Sequence, residues 1–141
     1  MLGDIIYVSS DKWQFGFQEY KDTNNKYRHY GIDVGNNEVV HFVNYNKEGY
    51  LISKVLISSL DDFKGMGILG KCYRTSYEFS KYEIINRALK CVTNNFEKYN
   101  PYNNNCEHFV RWCVTGKKYY YDINRYIRIR NNLEKYRELV Y

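Results

Sequence analysis

One cysteine and two histidines carry the residue types needed for nucleophilic acyl chemistry. Cys106 lies in the run Asn105-Cys106-Glu107-His108-Phe109-Val110, just after an Asn-rich stretch and at the start of an expected helix. A cysteine attacks as its thiolate, and the free thiol ionises only above neutrality. The first turn of a helix presents unpaired N–H groups and a partial positive charge, which favour the thiolate. The same N–H groups can hold an oxyanion after attack on a carbonyl. The competing reading of Cys106 is a small buried core residue, as most free cysteines are.

His29 and His41 fall in the two arms of an expected hairpin. Residues 27–34 and 38–43 read as strands about the turn Gly35-Asn36-Asn37. Antiparallel pairing about that turn sets residues 31 and 41 opposite each other. His29 and His41 then sit on neighbouring strands and on one face. That is the arrangement required if one imidazole is a base and the other orients it. Two unrelated, half-buried histidines are the alternative.

The rest of the chain supplies the elements that must position these groups. Ile5-Ile6-Tyr7-Val8 reads as a first strand, apolar on both faces. Residues 9–26 carry alternating Trp13, Phe15 and Phe17, as a short strand, the lip of a cleft or a loop packing its aromatics down. Residues 44–52 and 61–67 read as loops, with a fourth strand within 52–60 and a fifth over 69–74. Ser80-Lys81-Tyr82-Glu83 is a capping box, opening a helix with Ile84, Ile85, Ala88, Leu89, Val92 and Phe96 on one side. The cysteine helix has Asn104 or Asn105 as its N-cap, an apolar stripe through Phe109, Val110, Cys113 and Val114, and Gly116 as its stop. Beyond Lys117 the chain is basic, tyrosine-rich and amphipathic. It caps the domain, lies on a membrane surface or meets a partner helix.

Composition sets outer bounds. With 141 residues the chain has the size of one domain, and 44% hydrophobic residues suffice for a core. The net charge of +5 is spread along the chain. No nucleic-acid module and no phosphate-cradling glycine loop appear, so no nucleic-acid partner is expected. Four cysteines without CxxC spacing give no metal signature, and no metal or cofactor is expected. No secretory leader opens the sequence, so free thiols in a reducing, cytoplasmic setting are expected. No apolar run is long enough for a transmembrane helix.

Taken together, the motifs resemble the lecithin retinol acyltransferase family, especially its H-Ras-like suppressor phospholipase/acyltransferase branch. The matching pieces are Gly3-Asp4-Ile5-Ile6, Tyr27-Arg28-His29-Tyr30-Gly31-Ile32 with Val34-Gly35, Val39-Val40-His41-Phe42 and Asn105-Cys106-Glu107-His108-Phe109-Val110. They span roughly residues 3–116. The resemblance implies an α+β fold, an antiparallel β-sheet with packed helices in the circularly permuted papain-like, NlpC-type order. It implies a catalytic domain over residues 1–118, followed here by a basic amphipathic helix over 119–141. It assigns Cys106 as nucleophile, His29 as base and later acid, and His41 as the group that orients His29. Asn105 and the Cys106 backbone would support the oxyanion, and His108 and Glu107 would be structural.

The implied reaction is cysteine-dependent phospholipase A or acyltransferase chemistry through a thioester, with phospholipid as substrate and peripheral membrane contact through the C-terminal helix. A thiol amidase or peptidase on the same scaffold, and a non-catalytic interaction protein retaining the fold, are the alternatives. Asp33 stands where relatives usually carry an aromatic, and is expected to face away from the histidines. Oligomeric state has no signature in the sequence.

Overall fold

A computed structural model describes residues 2–10, 27–72, 78–94, 96 and 105–117. The elements are β1 (Ile5–Ser10), β2 (Tyr27–Gly35), β3 (Glu38–Lys47), β4 (Tyr50–Ser59), α1 (Leu60–Lys64), β5 (Ile68–Lys71), α2 (Lys81–Asn94) and α3 (Cys106–Thr115). The strands form one antiparallel sheet in the order β4-β3-β2-β1-β5. The architecture is the expected α+β one.

Two tight hairpins join β2, β3 and β4. Asn36 and Asn37 have φ of 56° and 58°, and Glu48 and Gly49 have φ of 52° and 85°. Two successive positive-φ residues make the two-residue turn whose twist matches that of the flanking strands. The second turn corrects the expectation of a loop over 44–52. Lys47 pairs with Tyr50, so β3 and β4 run on to the turn itself. The polar residues of that stretch hid the strands, because polarity alone does not distinguish a solvated strand end from a loop.

The expected loop over 61–67 also needs correction, since it begins with a short helix. Ser59 caps α1 by accepting the Asp62 N–H at its Oγ, 3.0 Å away, and Gly65 ends it with φ 50°. Phe63 is the buried residue of α1. The fifth strand begins at Ile68 and is described as far as Lys71, and the Cys72 N–H then donates to the Ile5 carbonyl.

The strand period of two sorts the core into two layers. Ile5, Tyr30, Ile32, Val40, Phe42 and Val55 face α2 and α3, which contribute Ile84, Ala88, Cys91, Phe109, Val110, Cys113 and Val114. Ile6, Val8 and Val39 leave the other face and meet Phe63. Phe109 alone, wholly buried, contributes about 2 kcal/mol of burial energy. The Glu83 N–H donates to Ser80 Oγ at 3.3 Å, as expected at the start of α2. Leu89, expected on the packed side, is 40% exposed, while Phe96 is buried just beyond the helix.

Trp13, Phe15 and Phe17, residues 73 and 74 of the expected fifth strand, and the basic segment 119–141 lie outside the described residues. Among the described residues, no helix is long and apolar enough to cross a membrane.

Candidate active site

His29 and His41 are held on one face by the pairing of their strands. Val8 lies opposite His29, and Gly31 lies opposite His41. Both imidazoles therefore leave the sheet on the side of Val8, Val39 and Phe63. His29 Nε2 is 2.8 Å from His41 Nδ1. The rings meet edge to face, with centroids 5.0 Å apart. Phe63 packs on both, at centroid distances of 5.5 Å from His29 and 5.2 Å from His41. Gly31 makes room for this packing, because a Cβ there would come within 2.5 Å of Val39 Cγ1 and 3.1 Å of Phe63 Cε1.

Neither imidazole is exposed by more than 1%. Burial lowers the His29 pKa well below 6.5, and repulsion from His41 adds to the effect. Burial lowers that of His41 to about 4. Both rings are then neutral at pH 7, and each carries a single N–H. His41 uses its second nitrogen as well, for Nε2 lies 2.8 Å from Ser58 Oγ. Two proton arrangements satisfy this row. In one, His29 Nε2–H donates to His41 Nδ1, and His41 Nε2–H donates to Ser58. In the other, Ser58 donates to His41, and His41 Nδ1–H donates to His29. Only the first leaves a lone pair on His29 Nδ1.

Sequence reasoning missed Ser58. It required the register of β3 on β4, in which Val39 pairs with Ser58 and His41 with Leu56. The signal was Glu48-Gly49. A two-residue turn there fixes the pairing and brings Ser58 diagonally beside His41 on the same face. Asp33 corrects a second expectation. It pairs with Val39 and lies four residues from His29 in β2, so it shares the histidines' face. Its Oδ1 accepts the Gly35 N–H at 2.9 Å beside the turn.

Cys106 is the first residue of α3 and is fully buried. Asn105 is the N-cap. Its Oδ1 accepts the N–H of Glu107 at 2.9 Å and that of His108 at 3.2 Å. His108 takes the place that Glu or Gln holds in the usual capping box, its Nδ1 accepting the Asn105 N–H at 3.3 Å. The same nitrogen lies 2.9 Å from Asn105 Oδ1, so its protonation decides which of the two contacts is made. Gly116, with φ 77°, closes the helix as expected.

The helix packs on the face of Tyr30, Ile32, Val40 and Phe42, opposite the one from which the imidazoles project. His29 is the third residue of β2, close to the end of that strand. The other cysteines of the helical layer are poorly suited to attack. Burial pushes the Cys113 thiol well above 9.0, with Cys91 adding to the shift and Arg87 opposing it. Burial raises Cys91 as well, again against the opposing charge of Arg87. Among the described residues, no group of three or more His, Cys, Asp or Glu side chains is placed to hold a metal ion.

A family model for lecithin retinol acyltransferase matches residues 2–119. The chain belongs to the lecithin retinol acyltransferase family. Its members are typically enzymes, and acyltransferase or phospholipase-type activity is the general class that membership indicates. The match covers β1 to α3, and so both histidine strands and the cysteine helix. No curated protein matches the chain significantly in a sequence search.

Proposed function

We propose that this member of the family is a cysteine-dependent phospholipase A and acyltransferase, with Cys106 as nucleophile, His29 as general base and His41 as its orienting partner. The observation that carries the reading is the 2.8 Å contact between His29 Nε2 and His41 Nδ1. It spends the one nitrogen of His29 that a base does not need and directs Nδ1 away from His41. The reading requires the Cys106 sulfur, on a helix tip, to meet His29 round the end of β2. A histidine-bearing sheet preceding a cysteine helix in the chain is also the order expected of a permuted papain-like enzyme.

In this reading the Cys106 thiol gives its proton to His29 Nδ1, and the thiolate attacks the ester carbonyl of a phospholipid. A neighbouring thiolate favours the imidazolium and offsets the burial that otherwise keeps His29 neutral. The oxyanion is held by the backbone N–H of Cys106. Asn105 contributes by fixing the turn, since its side-chain oxygen is taken by the N–H groups of residues 107 and 108. The carbon–oxygen bond to the lysophospholipid breaks as His29 returns its proton to the leaving oxygen. A thioester remains on Cys106. Water, an amine or a lysolipid then attacks it, losing a proton to His29, and the thiol is restored. Because Cys106 is fully buried, an ester reaches it only when a neighbouring segment moves aside. The basic sequence 119–141 makes the peripheral membrane contact, in a cytoplasmic setting.

The test is intact-mass analysis after incubation with mixed phospholipid vesicles. An acyl adduct on wild type, absent in Cys106→Ser and in His29→Ala, is the expected result. Peptide or amide cleavage without a lipid adduct would move the assignment to a thiol amidase. No turnover, together with a Cys106 that resists alkylation, would leave a binding protein.

A further inference from the structure

The contact between His41 and Ser58 has no place in the three-residue site read from the sequence. We propose that Ser58 is a positioning residue whose hydroxyl accepts the His41 Nε2–H, so that His41 Nδ1 receives the His29 Nε2–H and the lone pair of His29 stays on Nδ1. This rests on the reading of His29 as the base.

The argument is one of proton counting. Three groups stand in a row at two spacings of 2.8 Å, Ser58 Oγ to His41 Nε2 and His41 Nδ1 to His29 Nε2. Each neutral ring has one N–H, so the direction of one bond sets the direction of the next. When His29 takes the thiol proton, both of its nitrogens become donors. His41 Nδ1 must then be an acceptor, and the proton of His41 must sit on Nε2. That N–H is buried, since His41 is 1% exposed, and a buried donor without an acceptor carries its full desolvation penalty. Ser58 supplies the acceptor. The charged form of the base is therefore supported from the third strand of the row, through His41.

The fold holds this row firmly. Val39 pairs with Ser58 and Gly31 with His41, so β2, β3 and β4 contribute one member each to the same face. His29 from β2, Ser58 from β4 and Phe63 from α1 contact His41, and the carboxylate-bearing Asp33 of β2 shares the same face. A serine hydroxyl suits the position because it rotates to accept or donate.

The experiment compares wild type with Ser58→Ala, Ser58→Cys and Ser58→Thr. Two readouts are taken: nitrogen NMR of histidine-labelled protein, which reports the tautomer of each ring, and the pH profile of Cys106 alkylation by iodoacetamide. In wild type, His41 is expected to carry its proton on Nε2. Ser58→Ala and Ser58→Cys shift that proton toward Nδ1, slow alkylation about tenfold and move its profile. Ser58→Thr restores both. The cysteine variant keeps the shape of serine with a weak acceptor, so the comparison stands even if the alanine variant folds poorly. Unchanged His41 tautomers in Ser58→Ala and Ser58→Cys would overturn the proposal. A wild-type Cys106 inert at every pH would sink the catalytic reading instead, and the NMR would still decide the role of Ser58.

Discussion

His29 Nε2 and His41 Nδ1 stand 2.8 Å apart with no more than 1% of either side chain exposed, so one N–H is shared between two buried, neutral imidazoles. The contact fixes the orientation of His29, and in the proposed mechanism it takes the place that an Asn or carboxylate has in thiol enzymes. The energetic cost of burying two imidazoles is met by the bond between them, by Ser58 and by packing on Phe63.

Replacing His41 separates orientation from mere occupancy. His41→Asn offers an amide oxygen to His29 Nε2–H, whereas His41→Ala leaves that donor buried and without its partner. We expect kcat/KM toward a phospholipid ester to fall by about a hundredfold or more in the alanine variant, and by clearly less in the asparagine one. Steady-state kinetics of the two variants checks this. Equal losses would mean that His41 does not orient His29 through a hydrogen bond.

The pair also couples folding to acid. The folded-state pKa of His41, about 4, lies below its unfolded value of about 6.5, and that of His29 is shifted the same way. Below pH 6.5 the unfolded chain binds more protons than the folded one. The stability is therefore present above that pH and is lost as pH falls. For His41 the loss is on the order of a few kcal/mol across the window from 6.5 to about 4. Urea midpoints measured from neutral pH downward should be level at first and then decline, with a shallower decline in His41→Asn. A level profile through the whole window would contradict the burial described here.

Asn105 is expected to matter for stability and reactivity together. Its Oδ1 serves two N–H groups in the first turn of α3. Asn105→Ala should cost about 1–2 kcal/mol, and Asn105→Asp, which keeps an acceptor there, much less. Denaturant titration gives the first comparison, and the rate of Cys106 alkylation gives the second. If both variants matched wild type, the cap would have no part in holding the cysteine.

Gly31 is the close approach that lets Phe63 reach the histidines. A methyl group there would press on Val39 Cγ1 and Phe63 Cε1. Gly31→Ala is expected to destabilise by about 1–3 kcal/mol through overpacking. It should also perturb the ring resonances of both histidines in NMR spectra. An alanine variant with native stability and unshifted histidine signals would show that this layer is looser than its packing indicates.

The histidine pair and the helix cap were legible in the sequence because each depends on local chemistry. The Gly35-Asn36-Asn37 turn, together with the register shift between Asp33 and Gly35, sets Gly31 opposite His41 and so the neighbours on β2 and β3, and an Asn before an apolar run marks a helix start. Ser58 was not legible, because its place depends on a second turn hidden in a polar stretch. Helix α1 was missed because Leu60–Lys64 is too short to show a helical period. Asp33 shares the face of His29 by simple parity, both being odd-numbered in an uninterrupted stretch of β2, contrary to the expectation that it faces away. In the sequence, burial of Cys106 stands as the alternative to reactivity; in the structure Cys106 is fully buried, and any mechanism must accommodate that.

The two-residue turns at Asn36-Asn37 and Glu48-Gly49 have a consequence for how the protein is made. They join β2, β3 and β4 through the shortest possible closures, and chains rich in such near-neighbour pairings condense fastest. We expect the imidazole row to be in place while α3 is still undocked, so that Cys106 arrives last at a finished histidine pair. Pulsed hydrogen exchange during refolding should find amides of β2–β4 protected ahead of those in α3, and the opposite sequence of events would refute this order of assembly.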